Sequence, residues 1–183
     1  NSLYAYQEQV CLIQISTTEI DYLIDTIRLD DLTPLAPLMA DAKLEKVLHA
    51  AEYDILCLTR DFDFRIHNLF DTRVALRTLG RKKTGLGSVL EDEFGVKVNK
   101  RWQRANWGKR PLPPEMRHYA RLDTHYLLAL RDRLAKELRQ QHRWEEAMEE
   151  CLRLTQLEGN EKGFDPEGYW RISHARRLKP QQL

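Results

Sequence analysis

The feature that most constrains this chain is an apolar stripe that opens at Pro113-Pro114. Met116, Ala120, Leu127, Leu130, Leu134 and Leu138 keep to one helical face, as in a helix laid along a core. Pro is tolerated in a helix's first turn, so the spacing predicts a single helix from the proline pair to about residue 138. The same steps ask for one more apolar side chain at 123, and the sequence supplies Asp123. A carboxylate on a core-facing stripe loses hydration that only hydrogen bonds, a cation or a metal can replace. Tyr119 lies one turn earlier on the same face.

A helix predicted over residues 50–60 repeats the anomaly, with Asp54 set among Ala51, Ile55 and Leu58. A lone inward acid is ordinarily the partner of a buried Arg or the cap of a neighbouring helix. Two such acids on unrelated helices, joined by a tyrosine, make a candidate site. Neither has a pair of Cys or a pair of His beside it, so the hard oxygen donors point to Mg²⁺ or Mn²⁺ rather than zinc.

Elsewhere the strands come early and the helices late. Residues 9–16 and 21–25 are β-rich runs parted by the polar Thr17-Thr18-Glu19, which predicts a hairpin. A short helix is expected over 31–40, a buried strand over 45–49 and another strand over 65–70. Asp71-Thr72 reads as the N-cap of a helix over 73–79 that stops at Gly80, and Asp71 is better explained by that role than as a metal ligand. A helix over 88–94 ends at Gly95, and another is expected over about 144–157. The polar run 158–163 reads as a linker, followed by a further helical stretch from Asp165. The class is α/β or α+β with a helical tail.

At 183 residues the chain has room for one domain, or one domain and the start of another. With 42% apolar and 31% charged residues it is globular, not disordered. A net charge of +1 announces no polyanionic partner, but its distribution does: residues 1–60 carry 4 basic and 10 acidic side chains, and the rest carry 25 and 18. The basic surplus peaks over 97–121, where eight Lys and Arg face only Glu115 and are interleaved with Trp102 and Trp107. Cations can hold phosphates and aromatics can stack bases, which marks Lys100, Arg101, Trp102, Trp107 and Arg110 as candidate nucleic-acid contacts. Arg81-Lys82-Lys83 reads as a charged turn. Cys11, Cys57 and Cys151 are widely spaced and odd in number, which excludes a disulfide scaffold and a zinc knuckle and fits a reducing cytosol. No apolar run reaches the roughly 20 residues of a membrane span, so a cytoplasmic location with no membrane partner is expected.

Three segments carry a family resemblance: K-V-L-H-A-A-E-Y-D-I-L-C-L (46–58), N-L-F-D-T (68–72) and R-P-L-P-P-E-M-R-H-Y-A-R-L-D-T-H-Y-L-L (110–128). With V-C-L-I-Q-I-S-T (10–17), they resemble the ribonuclease D family. Its members are 3′–5′ exonucleases of the DEDD superfamily, in the tyrosine-bearing branch that includes the nuclear exosome-associated enzymes. The likeness runs to about residue 138. It implies an RNase H-like (DnaQ-like) α/β fold with a mixed sheet and two divalent metal ions, Mg²⁺ or Mn²⁺, held by four acids. Asp54 matches the second-motif acid, Asp123 the third, and Tyr119 the residue that orients the attacking water. His49 falls inside the second motif, where a supporting role behind the ligands is expected.

The resemblance also implies an Asp-x-Glu first motif on a first strand, which these residues do not contain. Glu19-Ile20-Asp21 follows the opening strand instead of preceding it and is set aside on order. The expected organisation is an exonuclease domain over 1–140 lacking its first motif and strand, a helical connector and linker over 141–163, and the start of an HRDC-like helical domain over 164–183. The implied activity is hydrolysis of single-stranded RNA 3′ ends, such as tRNA precursors, to nucleoside 5′-monophosphates, with the 183 residues alone expected to be inactive. A DNA 3′–5′ exonuclease and a non-catalytic RNA-binding module on the same scaffold stand as alternatives. The sequence sets no oligomeric state.

Overall fold

The computed structural model describes residues 8–157. The linker expected at 158–163 and the HRDC-like segment at 164–183 lie outside the described residues.

The opening runs form the expected antiparallel hairpin, β1 (Ile13–Ser16) and β2 (Asp21–Ile24), with Ile13 opposite Ile24 and Ser16 opposite Asp21. Thr17 closes the turn: its N–H donates to the Ile20 carbonyl, and its hydroxyl oxygen accepts from the N–H groups of Glu19 and Ile20. A 3₁₀ turn (Thr33–Leu35) leads into α1 (Ala36–Ala40). The chain then makes a strand–helix–strand crossover: β3 (Lys46–Leu48), α2 (Glu52–Phe62) and β4 (Leu69–Asp71), with β3 and β4 parallel. β4 is shorter than the run expected over 65–70. Its partner offers only three residues, and Asn68 adopts a left-handed conformation (φ 53°) just before it. Among the described residues the two strand pairs form separate two-stranded sheets.

α3 (Thr72–Thr78) and α4 (Leu86–Phe94) follow, the latter stopped by Gly95 at φ 68°, where only glycine is free of a Cβ clash. A 3₁₀ turn (Lys100–Arg104) lies within the basic segment. The helix predicted from the proline pair to residue 138 is in fact two, α5 (Pro114–His125) and α6 (Leu127–Gln140), broken at Tyr126. The break is imposed by contacts from outside the helix. Thr124 and His125 bond sideways to Ser16 and Asp21 of the hairpin, and Tyr126 packs its ring 5.0 Å from Phe94. β-branched and aromatic residues are weak helix formers, so these three give up helical continuity to outside contacts. α7 (Trp144–Thr155) closes the described fold.

The predicted stripe is real. Met116, Ala120, Leu127, Leu130, Leu134 and Leu138 are all buried. Leu130, Leu134 and Leu138 of α6 join Phe70, Ala75, Leu76, Val89 and Ala147 in one core cluster, while Ala51, just before α2, and Ile55 within it pack with Ile66 and Leu69. The three cysteines are free and buried. Among the described residues no helix is long and apolar enough to cross a membrane.

Candidate active site

Asp71 is the post on which half of the site is hung. Its side chain is almost fully buried, and its carboxylate accepts from Arg73 N (2.7 Å) and Val74 N (3.1 Å), capping α3 as the sequence predicts. The same carboxylate also accepts from Ala50 N (3.1 Å) and Ala51 N (2.6 Å), at the entrance to α2. Ala50 is held there at φ 60°, a region that costs a residue with a Cβ about 1 kcal/mol or more. The Asp71 N–H donates to Cys151 Sγ at 3.2 Å, which ties the post to α7. One buried acid thus fixes where α2 starts, and Asp54 stands in the first turn of that helix.

Asp123 is positioned from the other side. Asp21 on β2 forms an ion pair with Arg121 (Nε at 2.8 Å) and bonds His125 Nδ1 (2.9 Å), while Ser16 and Thr124 hydroxyls meet at 2.7 Å. These contacts bracket Asp123 and lock its face of α5 relative to the hairpin. The approach to α5 is held by Arg110, whose Nε and Nη2 donate to the two carboxylate oxygens of Asp25 at 2.6 and 2.7 Å. Arg110 also donates to the carbonyls of Trp107 and Cys11, and its side chain is only 12% exposed. Its guanidinium is engaged within the protein and not open to a phosphate, so Arg110 positions α5.

α2 and α5 bring Asp54, Tyr119 and Asp123 to one cleft of about 330 Å³, also lined by Tyr53, Cys57, Gln103 and Trp107. Asp123 is half-buried. Asp54 is exposed by surface area and stands at the edge of its apolar stripe, not inside the core as the periodicity implied. The surface it exposes faces the cleft, whose walls replace much of its bulk water. Neither acid has a hydrogen bond or an ion pair among the described residues. Burial raises Asp123 to about 7, with the Asp54 charge as second cause. Burial also raises Asp54 to about 6, with the Asp71 charge second. The two carboxyls share one cleft, so a proton taken up by either relieves the repulsion between them.

Tyr119 is buried, bonded to Gln103 and 6.0 Å from the Trp107 ring. Burial and then the Asp123 charge push its hydroxyl up to about 12 against the opposing hydrogen bond, so it keeps its proton at neutral pH. Two unpartnered carboxylates in one desolvated cleft suit a cation, and oxygen donors suit Mg²⁺ or Mn²⁺. They are not a complete site. Among the described residues no group of three His, Cys, Asp or Glu side chains gathers to hold a metal.

The other sequence candidates fall outside the cleft or on its rim. Lys100 and Arg101 are exposed on the 3₁₀ turn, with Arg101 over the Trp102 ring at 4.8 Å. Trp107 lines the cleft and donates through Nε1 to the Trp102 carbonyl at 3.1 Å. His49 bonds Thr72 Oγ1 at 2.8 Å and the Thr84 backbone, and burial lowers its pKa, so it is a neutral tie between β3 and α3. Glu19-Ile20-Asp21 supplies no acid to the cleft, and Asp21 is committed to Ser16, Arg121 and His125. Sequence reasoning missed Gln103, which carries no signal of its own, and Tyr53, which the sequence could have offered as an aromatic next to Asp54.

Comparison with known proteins meets this geometry directly. The 3′–5′ exonuclease family matches residues 1–139, and the chain belongs to that family. It is 44% identical to Protein RRP6-like 3 of Arabidopsis thaliana over 141 residues, which is 76% of this chain and 16% of that protein. It superposes on the catalytic core of RRP6 from Trypanosoma brucei with a TM-score of 0.86 and 34% identity, covering 97% of this chain and 49% of that one. Escherichia coli RNase D, an exoribonuclease involved in structured RNA processing, gives 0.76 and 29%, covering 92% and 45%. The chain therefore spans about a sixth of the first of these relatives. Its mixed α/β fold is of the RNase H-like exonuclease type.

Proposed function

We propose that this chain carries the second and third acidic motifs of a metal-dependent 3′–5′ exoribonuclease. The observation that supports it most is the pair Asp54 and Asp123, which line one cleft with Tyr119 and have no partner among the described residues. Divalent ions, Mg²⁺ or Mn²⁺, would supply there a water nucleophile near neutral pH and neutralise charge on the leaving 3′-oxygen. Asp54 and Asp123 give up their protons to hold that positive charge. Two carboxylates alone hold Mg²⁺ weakly, so substrate phosphates and an Asp-x-Glu segment of the kind the resemblance implies would have to add further oxygen donors. Tyr119 retains its proton and orients the attacking water through its hydroxyl. The substrate is a single-stranded RNA 3′ end, such as a tRNA precursor, in a reducing cytoplasmic compartment. The products are nucleoside 5′-monophosphates. The likeness to Escherichia coli RNase D, an exoribonuclease, supports RNA over DNA.

The test is to incubate the full-length protein with 5′-labelled single-stranded RNA and with DNA of the same sequence, in Mg²⁺. Stepwise shortening of the RNA with release of nucleoside 5′-monophosphates is expected. Preferential shortening of DNA would move the chain to the DNA branch, and binding without any Mg²⁺-dependent shortening would make it a non-catalytic RNA-binding module. In the same assay Tyr119→Phe is expected to lower kcat by about 10²-fold with KM little changed, because it removes a group that acts on the water and not on the RNA. An unchanged kcat would take Tyr119 out of the reaction.

A further inference from the structure

Tyr53 is a large side chain in the cleft that the reading above leaves unused. It follows directly from the rise of α2: one residue before Asp54, in the helix's first turn, lining the same cleft. More than half of it, 54%, is open to solvent. The ring is exposed and at the same time fixed. Its hydroxyl donates to Glu8 Oε2 at 2.6 Å and also bonds the Cys57 thiol one turn along the helix. Glu8 is in turn held by Arg60 Nη1 at 2.7 Å, and Arg60 Nε donates to Asp61 at 2.6 Å. Asp61 accepts from Val10 N at 2.7 Å, which anchors the chain of contacts to the backbone just before β1. The Tyr53 hydroxyl and the Arg60 guanidinium keep Glu8 ionised, below the usual carboxylate range, so the anchor holds at neutral pH. Pinning one end of an exposed aromatic removes the entropy cost of ordering it when something lies on its face.

We propose, resting on the exonuclease reading of the cleft, that Tyr53 is a base-stacking residue that holds the 3′-terminal nucleobase of a single-stranded RNA beside Asp54. Every base offers a π-face, so such a platform grips a 3′ end without choosing its sequence. Glu8 holds the hydroxyl, and Arg60 holds Glu8.

The experiment uses the full-length protein in EDTA, where no cleavage occurs, and a single-stranded RNA whose 3′-terminal base is 2-aminopurine. Stacking on the tyrosine ring quenches this fluorophore, and anisotropy of a 5′ dye reports binding separately. Quenching is expected with the wild type and with Tyr53→Phe, which keeps the ring. With Tyr53→Ala it is expected to be lost, with affinity down about 5- to 100-fold, the range of one base–aromatic stack. The Tyr53→Ala deficit should shrink to within about twofold on an RNA ending in an abasic ribose, a discrimination that a merely structural role would not produce. Undiminished quenching with Tyr53→Ala, or an equal affinity loss on both RNAs, overturns the proposal. Release of mononucleotides by the same wild-type sample in Mg²⁺ is scored independently, so a failed stack and a failed nuclease give different results.

Discussion

Asp123→Asn is expected to abolish Mg²⁺-dependent release of mononucleotides, with a loss of at least about 10³-fold in kcat, and at the same time to stabilise the metal-free fold. The two effects share one cause. Burial and the Asp54 charge raise Asp123 to about 7. The folded protein therefore holds a proton that the unfolded chain releases near pH 4. Below about pH 4 both states are protonated and the group contributes nothing. Between about pH 4 and 7 the unfolded state ionises first, so stability falls as pH rises, and the full penalty applies above about pH 7. Asp123 is half-buried, and solvent screening brings the penalty to roughly 1–2 kcal/mol. Removing it should raise Tm by about 2–8 °C at pH 8 and by almost nothing at pH 4. Thermal melts of wild type and variant in EDTA at the two pH values check the stability half. A gain that is the same at both, or a variant that degrades RNA at the wild-type rate, contradicts the assignment of Asp123.

Asp71→Ala carries the largest expected cost in stability. It strips the partner from four backbone N–H groups at once, those of Ala50, Ala51, Arg73 and Val74. Breaking a buried charged hydrogen-bond network of this kind costs about 3–5 kcal/mol, a large share of the stability of an ordinary domain. The loss should appear as a Tm lower by roughly 10 °C. It should also bring reduced activity even well below the melting point, since Ala50 then has no tether at its left-handed conformation and α2 no longer starts in one place. Asp71→Asn keeps one acceptor oxygen and should recover part of both. Chemical denaturation of the three proteins gives the order directly, and an Asp71→Ala variant as stable as wild type would remove Asp71 from its joint role.

The candidate acids were legible because an acid on an apolar helical face is a conflict that periodicity exposes without any structure. Asp123 and Asp54 both surfaced that way, and the cap at Asp71 was legible from the helix start that follows it. The second half of Asp71's role was not. Its bonds to Ala50 and Ala51 reach back 20 residues and depend on an alanine at positive φ, which no propensity favours. Arg110 misled for a similar reason. It sits in a basic run, so its surroundings in sequence suggest phosphate, but Asp25, 85 residues away in sequence, binds its Nε and Nη2, and backbone carbonyls take the rest. The break at Tyr126 was invisible because the stripe continues through it in phase: Leu127 remains buried on the same side as Ala120. The hairpin's grip on Thr124 and His125 and the packing of Tyr126 on Phe94, tertiary contacts all, divide the helix.

The central claim is that Asp54 and Asp123 are two ligands of one cation site. Calorimetric titration of Mn²⁺ into the full-length protein at pH 6.5, in two buffers of different ionisation heat, reads cation affinity and proton release together. The account predicts that wild type binds Mn²⁺ with net release of protons, because the cation displaces those that burial and mutual repulsion hold on the two carboxyls. Asp54→Asn and Asp123→Asn should each weaken binding by at least about tenfold and each reduce the proton release. Wild-type Mn²⁺ affinity in either variant would contradict it.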